Sequence, residues 1–335
     1  MYLQHFGLEK NPFSLTPDPS FLFLTAKHRE ALASLVFAVT GRKGFLVLTG
    51  EAGTGKTTLI RKMLQSIPST CAQFSVVVNP ALNPGEFLEY VLMDFGVVDI
   101  PASKALRLSL FQKLLLQTHE AGKTSVLVVD EAHLLTSELL EEIRLLSNFE
   151  TPEQKLLQII LAGQNELNSL LELESKRQMK QRIALRLQIS PLDPREVHRY
   201  LQTRWNRAGG VSPLPMSASA IELAAKYSGG TPRVINCLCD AALLNAFARG
   251  ETQVGDKEML EALGDLRLLP ETQPTAKFTA APERPVGASG PTPRQARESG
   301  TPACPSLERH TPATSPNSRL FKWTGWFRPG TEVRG

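Results

Sequence analysis

One short stretch constrains the fold of this chain more than any other. Phe45–Leu48 is an apolar run, Gly50-Glu51-Ala52-Gly53-Thr54-Gly55-Lys56-Thr57 follows it, and Thr58-Leu-Ile-Arg-Lys-Met-Leu64 reads as the opening of a helix. The middle segment fits G-x-x-x-x-G-K-[ST], and a strand leading in with a helix leading out is the context that gives the pattern meaning. Glycines let the backbone curl until successive N–H groups face one point, and the helix N-terminus adds its positive dipole end there. Lys56 supplies a point charge for β- and γ-phosphates, and the Thr57 hydroxyl suits a Mg²⁺ shell. The loop from Gly50 to Thr58 is therefore the expected ATP cradle.

A second motif completes the site. Val126-Leu-Val-Val129 is an apolar strand that ends in two adjacent carboxylates, Asp130 and Glu131. Ligands of open α/β sheets lie beyond the carboxyl ends of the strands, where this pair would sit. Asp130 is suited to hold Mg²⁺ together with Thr57, and Glu131 to polarise the attacking water as general base. Asp130-Glu-Ala-His133 also spells a helicase box, but no second motor domain accompanies it, and the match reads as incidental.

The surrounding pattern agrees with a sheet of this kind. Strand candidates are Gly44–Thr49, Phe74–Val78, Ser125–Val129, Leu157–Ala162 and Ala184–Ile189. Between them Phe87, Leu88, Val91 and Leu92 have helical spacing, as do Leu139, Leu140, Ile143 and Leu146. Apolar strands separated by amphipathic helices predict a parallel sheet covered on both faces, a three-layer P-loop α/β fold over residues 1–190. Strand signals stop at Pro191, and residues 191–269 read as a small all-helical lid with breaks at Gly209-Gly210 and Gly229-Gly230. Residues 270–335 are rich in Pro, Ser, Thr and Arg and read as a disordered tail. Its end, Leu320-Phe-Lys-Trp-Thr-Gly-Trp-Phe-Arg328, interleaves aromatics with cations and is either a docking segment or a fluctuating end.

Charge and composition narrow the function. The net charge of +4 lies wholly beyond Pro270, where nine cations meet five acids, so the body is neutral and carries no bulk sign of nucleic-acid binding. No apolar run reaches the length of a membrane span, and the N-terminus lacks a signal-peptide pattern. The four cysteines, Cys71, Cys237, Cys239 and Cys304, match no zinc or redox spacing, and a reduced cytoplasmic chain is the plainest reading.

From Met1 to about Leu268 the chain resembles the AAA+ ATPases of the general secretion pathway protein A (ExeA/GspA) group and their relatives near exopolysaccharide and exosortase gene clusters. Beyond the two phosphate motifs, the resemblance rests on Phe6-Gly-Leu, Asn11-Pro-Phe13, Pro17-Asp-Pro19, Phe21, His28-Arg-Glu-Ala31, Gly163-Gln164, Gln181-Arg182 and Gly230-Thr-Pro-Arg233. It implies ATP hydrolysis, an ATP-dependent homo-oligomer, and a regulatory or assembly role in secretion or surface-polysaccharide export. Group members of the secretion type often continue into a membrane-spanning helix and a peptidoglycan-binding domain. This sequence shows neither, which favours a cytoplasmic protein and leaves peripheral contact with the inner membrane open. Transposition helper ATPases of the TniB and MuB kind share much of this core, so a DNA-binding helper is the alternative.

The resemblance also implies roles for residues that carry no motif of their own. Pro12 and Phe13 become candidate adenine neighbours, against an ordinary staple onto the core. Gln164 resembles sensor 1, with Asn165 second. Asn79 resembles the asparagine that restrains the catalytic glutamate, against a turn-forming residue before Pro80. Arg233, behind a capping Thr231 and a first-turn Pro232, resembles the sensor 2 arginine of the lid. Arg182 resembles the finger that enters a neighbour's site, with Arg177 and Arg186 in competition.

Overall fold

The computed structural model describes residues 2–16 and 18–269. The expected disorder of 270–335, the aromatic-basic end, Cys304 and Pro17 lie outside the described residues. Five strands form one sheet: β1 (Phe45–Gly50), β2 (Ala72–Val77), β3 (Thr124–Val129), β4 (Leu157–Gly163) and β5 (Ile183–Ile189). Each matches an expected strand to within two residues at either end. Their order is β2-β3-β4-β1-β5 and every ladder is parallel.

The helices in chain order are α1 (Tyr2–His5), α2 (Ala26–Thr40), α3 (Lys56–Ser66), α4 (Pro84–Asp94), α5 (Lys104–Glu120), α6 (Ser137–Leu146), α7 (Glu166–Glu172), α8 (Arg177–Lys180), α9 (Pro194–Arg207), α10 (Ala218–Ser228), α11 (Pro232–Ala248) and α12 (Asp256–Asp265). Side chains of the central strands alternate between the two faces because the strand period is two. Leu46, Leu48, Val126, Val128 and Ile160 pack on α2 and α3, while Phe45, Val47, Leu127, Val129 and Ile159 pack on α4, α5 and α6. Strands β1, β3 and β4 are buried throughout, as covered parallel strands should be, whereas the edge strand β5 alternates between partly buried and exposed positions.

Helices α9 to α12 form the lid. Asp193 and Glu196 make a capping box around Pro194, which starts α9 sharply after the sheet ends. Apolar residues of the N-terminal block, which the sequence boundaries grouped with the α/β domain, pack into the core of these helices. Leu8, Phe13 and Phe21 are buried in the lid core with Trp205, Leu238 and Leu243. Polar contacts fix the docking. Glu9 N donates to Ala208 O (2.8 Å), Tyr2 Oη to Asp240 Oδ1 (2.5 Å), and the buried Arg204 donates to the carbonyls of Pro12 and of Ser14 (3.3 Å). Amphipathic pattern marks a segment as buried without saying which core it joins.

Candidate nucleotide site

The glycine-rich loop has the shape its sequence requires. Gly53 and Gly55 adopt φ of 79° and 100°, a region that other residues enter at a cost of about 1–2 kcal/mol. Gly50 leaves no room for a side chain, since a Cβ there would stand 2.5 Å from Ile189 O. Thr54 is buried and closes the loop by donating its hydroxyl to Glu51 O (2.8 Å), while Glu51 and Ala52 are exposed on its outer side. Lys56, Thr57 and Thr58 form the first turn of α3, so their N–H groups have no carbonyl within the helix to accept them. The Lys56 ammonium donates to Gly50 O (2.8 Å) and Glu51 O (3.0 Å), which uses two of its three protons and leaves one for a phosphate. Burial pulls its pKa below the ordinary lysine range, against the opposing pull of Glu131, Asp130 and Glu166.

The acidic pair meets this loop. Thr57 Oγ1 donates to Asp130 Oδ2 at 2.7 Å, and Asp130 Oδ1 accepts the Glu131 N–H at 2.9 Å. A hydroxyl and a carboxylate in contact are hard oxygen donors of the kind Mg²⁺ takes. Glu131 follows in the left-handed region with φ of 50°, and its side chain remains 43% exposed. Because β4 lies between β1 and β3, its end delivers Gln164 between the phosphate loop and the acidic pair. Gln164 contacts His133 through its side-chain nitrogen (3.1 Å), whereas Asn165 is exposed at the start of α7.

The lid reaches the same point. Arg233 N donates to Gly53 O at 3.4 Å, and a Cβ on Gly53 would stand 2.6 Å from Arg233 Cβ. The Arg233 side chain is exposed at the N-terminus of α11, beside the loop. Pro232 takes the first turn as expected, but Thr231 makes no side-chain cap; its methyl instead faces Gly53. We expect Gly53→Ala to cost about 1–2 kcal/mol through its backbone alone, and more through this contact. A fall in Tm of about 2–4 °C per kcal/mol would register it, and an unchanged Tm would count against the contact.

Other expected residues stand elsewhere. Pro12 and Phe13 are buried, and Phe13 is 1% exposed inside the lid core, so its ring offers no face to a base in this conformation. Asn79 accepts from Ala81 N (3.2 Å), as a turn-forming residue does, and no hydrogen bond joins it to Glu131 among the described residues. Arg182 donates to Ser147 Oγ (2.8 Å) and precedes β5, whose register pairs Ile183 with Phe45 and Ile189 with Gly50. It thus lies at the opposite end of the sheet from its own phosphate loop. Arg186 sits mid-strand within 3.6 Å of Glu172, and the exposed Arg177 has no side-chain partner among the described residues.

Two residues escaped sequence reasoning. His28 is buried under the loop, with Nδ1 2.8 Å from Thr25 Oγ1 and Nε2 3.4 Å from Thr54 O. Burial drives its pKa down, so the neutral ring is the form that packs there. It belongs to the block His28-Arg-Glu-Ala31, but nothing in that spacing points toward residue 54. His133 was dismissed with the helicase box, and yet it touches Gln164.

Comparisons with known proteins place the chain in a family. The AAA domain family matches residues 39–171. General secretion pathway protein A of Aeromonas hydrophila is 42% identical over 255 residues, which cover 76% of this chain and 46% of that protein. The chain therefore spans less than half the length of that curated relative. Among solved structures, the ORC2 protein of Aeropyrum pernix in ADPNP–ADP complexes aligns with a TM-score of 0.59 at 17% identity, covering 77% of this chain and 72% of that one. Cdc6p of Pyrobaculum aerophilum gives 0.59 at 17%, with 76% and 70% covered. At these identities the likeness is one of fold.

Proposed function

The chain is an AAA+ ATPase of the general secretion pathway protein A-like group, and on that premise we propose that it hydrolyses Mg-ATP to regulate or assemble a secretion or surface-polysaccharide export system. One observation carries the chemistry: Thr57, Asp130, Lys56 and Glu131 converge at the ends of β1 and β3, with the Thr57–Asp130 contact at 2.7 Å. Thr57 and Asp130 would hold Mg²⁺, which when bound neutralises charge on the β- and γ-phosphates. Lys56 and the loop N–H groups bind the phosphates, and Gln164 and Arg233 approach the γ-phosphate from the sheet and the lid. Glu131 takes the proton of the attacking water as its oxygen bonds to the γ-phosphorus. The bond to the bridging oxygen breaks, giving ADP and phosphate.

Likeness to general secretion pathway protein A supports the process, and ATP as substrate supports a cytoplasmic site of action. No helix among the described residues is long and apolar enough to cross a membrane. Loss of the Lys56 charge should weaken ATP binding about ten- to a hundredfold, the worth of a hydrogen bond to a charged group. Titration of Lys56→Ala with a fluorescent ATP analogue checks this, and parental affinity would refute the site. The process is tested by the proteins that co-purify with the ATP-locked Glu131→Gln chain. Retained secretion or export components support it. Turnover stimulated by DNA and lost steeply with salt would select the DNA-helper reading instead.

A further inference from the structure

The loop after β3 brings one imidazole ring between the two side chains that the proposed chemistry needs. His133 Nε2 lies 3.1 Å from the Gln164 side-chain nitrogen, and Nδ1 lies 3.4 Å from Glu131 Oε2. The ring is 12% exposed. Glu131 Oε2 is buried and has no hydrogen bond among the described residues, a costly state for a polar atom. Nδ1 is the ring nitrogen that faces it, within ion-pair range and without a hydrogen bond. Nε2, in turn, accepts from the Gln164 amide when it carries no proton. With its proton on Nδ1 the ring would turn a donor toward Glu131 Oε2 and an acceptor toward the Gln164 side-chain nitrogen. The opposite tautomer would let Nδ1 accept the Gln164 backbone N–H at 3.4 Å, but it leaves Oε2 without a donor.

The backbone is built around this placement. Glu131 accepts a left-handed conformation that only surrounding structure can hold, and the turn it makes carries Ala132–Leu134 over the end of β4. Gly163 admits that turn, since a Cβ there would stand 3.0 Å from His133 N. Asn79, which the family resemblance offered as the partner of Glu131, is committed to Ala81.

We propose that His133 is a positioning residue for hydrolysis, which fixes the Glu131 carboxylate and the Gln164 amide against each other so that γ-phosphate contact and water activation coincide. This rests on Glu131 being the general base.

The test measures steady-state turnover and ATP affinity on the full chain. His133→Ala should lower kcat by about 10²-fold, the effect of misplacing a catalytic group by ~1 Å, with an ATP dissociation constant unchanged. In a Gln164→Ala background the same substitution should add little, because the two act as a unit. His133→Asn, which keeps a donor at the Nδ1 place, should recover part of the loss. If His133→Ala does not fold, His133→Gln takes its place with the same expected loss, as it keeps a group at Nε2 and none at Nδ1. Parental or raised kcat in His133→Ala, full additivity with Gln164→Ala, or a loss explained by weakened ATP binding would each overturn the proposal. Glu131→Gln run in parallel separates the two levels. Undiminished turnover there removes the base and this proposal together, whereas loss there with normal turnover in His133→Ala removes this proposal alone.

Discussion

Arg182→Ala is expected to bind ATP like the parent chain and to lose turnover by about 10³-fold or more, the lower range for loss of an arginine finger. The geometry gives the reason. Arg182 precedes the strand whose first residue pairs with Phe45 and whose last pairs with Gly50. At about 3.3 Å per residue, six strand residues put it roughly 20 Å from its own phosphate loop, beyond the reach of any side chain. A γ-phosphate that it touches must belong to another copy. Specific activity should then rise with protein concentration and with ATP-driven association. Mixing Arg182→Ala with Lys56→Ala protein should restore activity, as one partner keeps the pocket and the other the finger. Its bond to Ser147 Oγ occupies one of five guanidinium donors and leaves the others for a phosphate. Activity independent of concentration, with no rescue on mixing, would show that the enzyme works alone. Rescue that requires Arg177→Ala in place of Arg182→Ala would move the role to the exposed arginine on α8.

Glu131→Gln is expected to keep ATP affinity and to lose turnover by about 10²–10⁴-fold, the usual contribution of a general base. The substitution preserves shape and hydrogen-bonding length but removes the group that takes the proton. The ground-state phosphates are bound by Lys56 and by backbone N–H groups, none of which it disturbs. A lowered kcat with an unchanged dissociation constant is the signature of a group that acts in the transition state. Equal loss of affinity and turnover would instead mean that Glu131 supports the loop, and near-parental turnover would place the base elsewhere.

Much of this protein was legible in its sequence because the informative features are local. Gly50 to Thr58 need particular backbone angles and particular donors, so the loop is written in adjacent residues, and the glycines at 53 and 55 adopt left-handed conformations that let it curl. The strands were legible for a similar reason. Val126–Val129 and Leu157–Ala162 are covered on both faces, and full burial leaves an unbroken apolar run. Asp130 and Thr57 were read as Mg²⁺ holders from the rule that sites form at strand ends, without any knowledge of strand order, and the structure brings them within 2.7 Å of each other.

What the sequence did not contain were the relations between distant segments. Placing β4 between β1 and β3 is what brings Gln164 to the site, and no residue in β4 names its neighbours. Phe13 and Phe21 are buried among the lid's apolar residues, and because hydrophobic burial is non-directional their sequence did not say which core they would join. His133 was passed over because its place depends on a left-handed Glu131 just before it and on a bare Gly163 against its backbone N–H. Short-range motifs fix the chemistry that a segment can perform. Long-range packing, which depends on the summed burial of the whole chain, decides which of those segments act together.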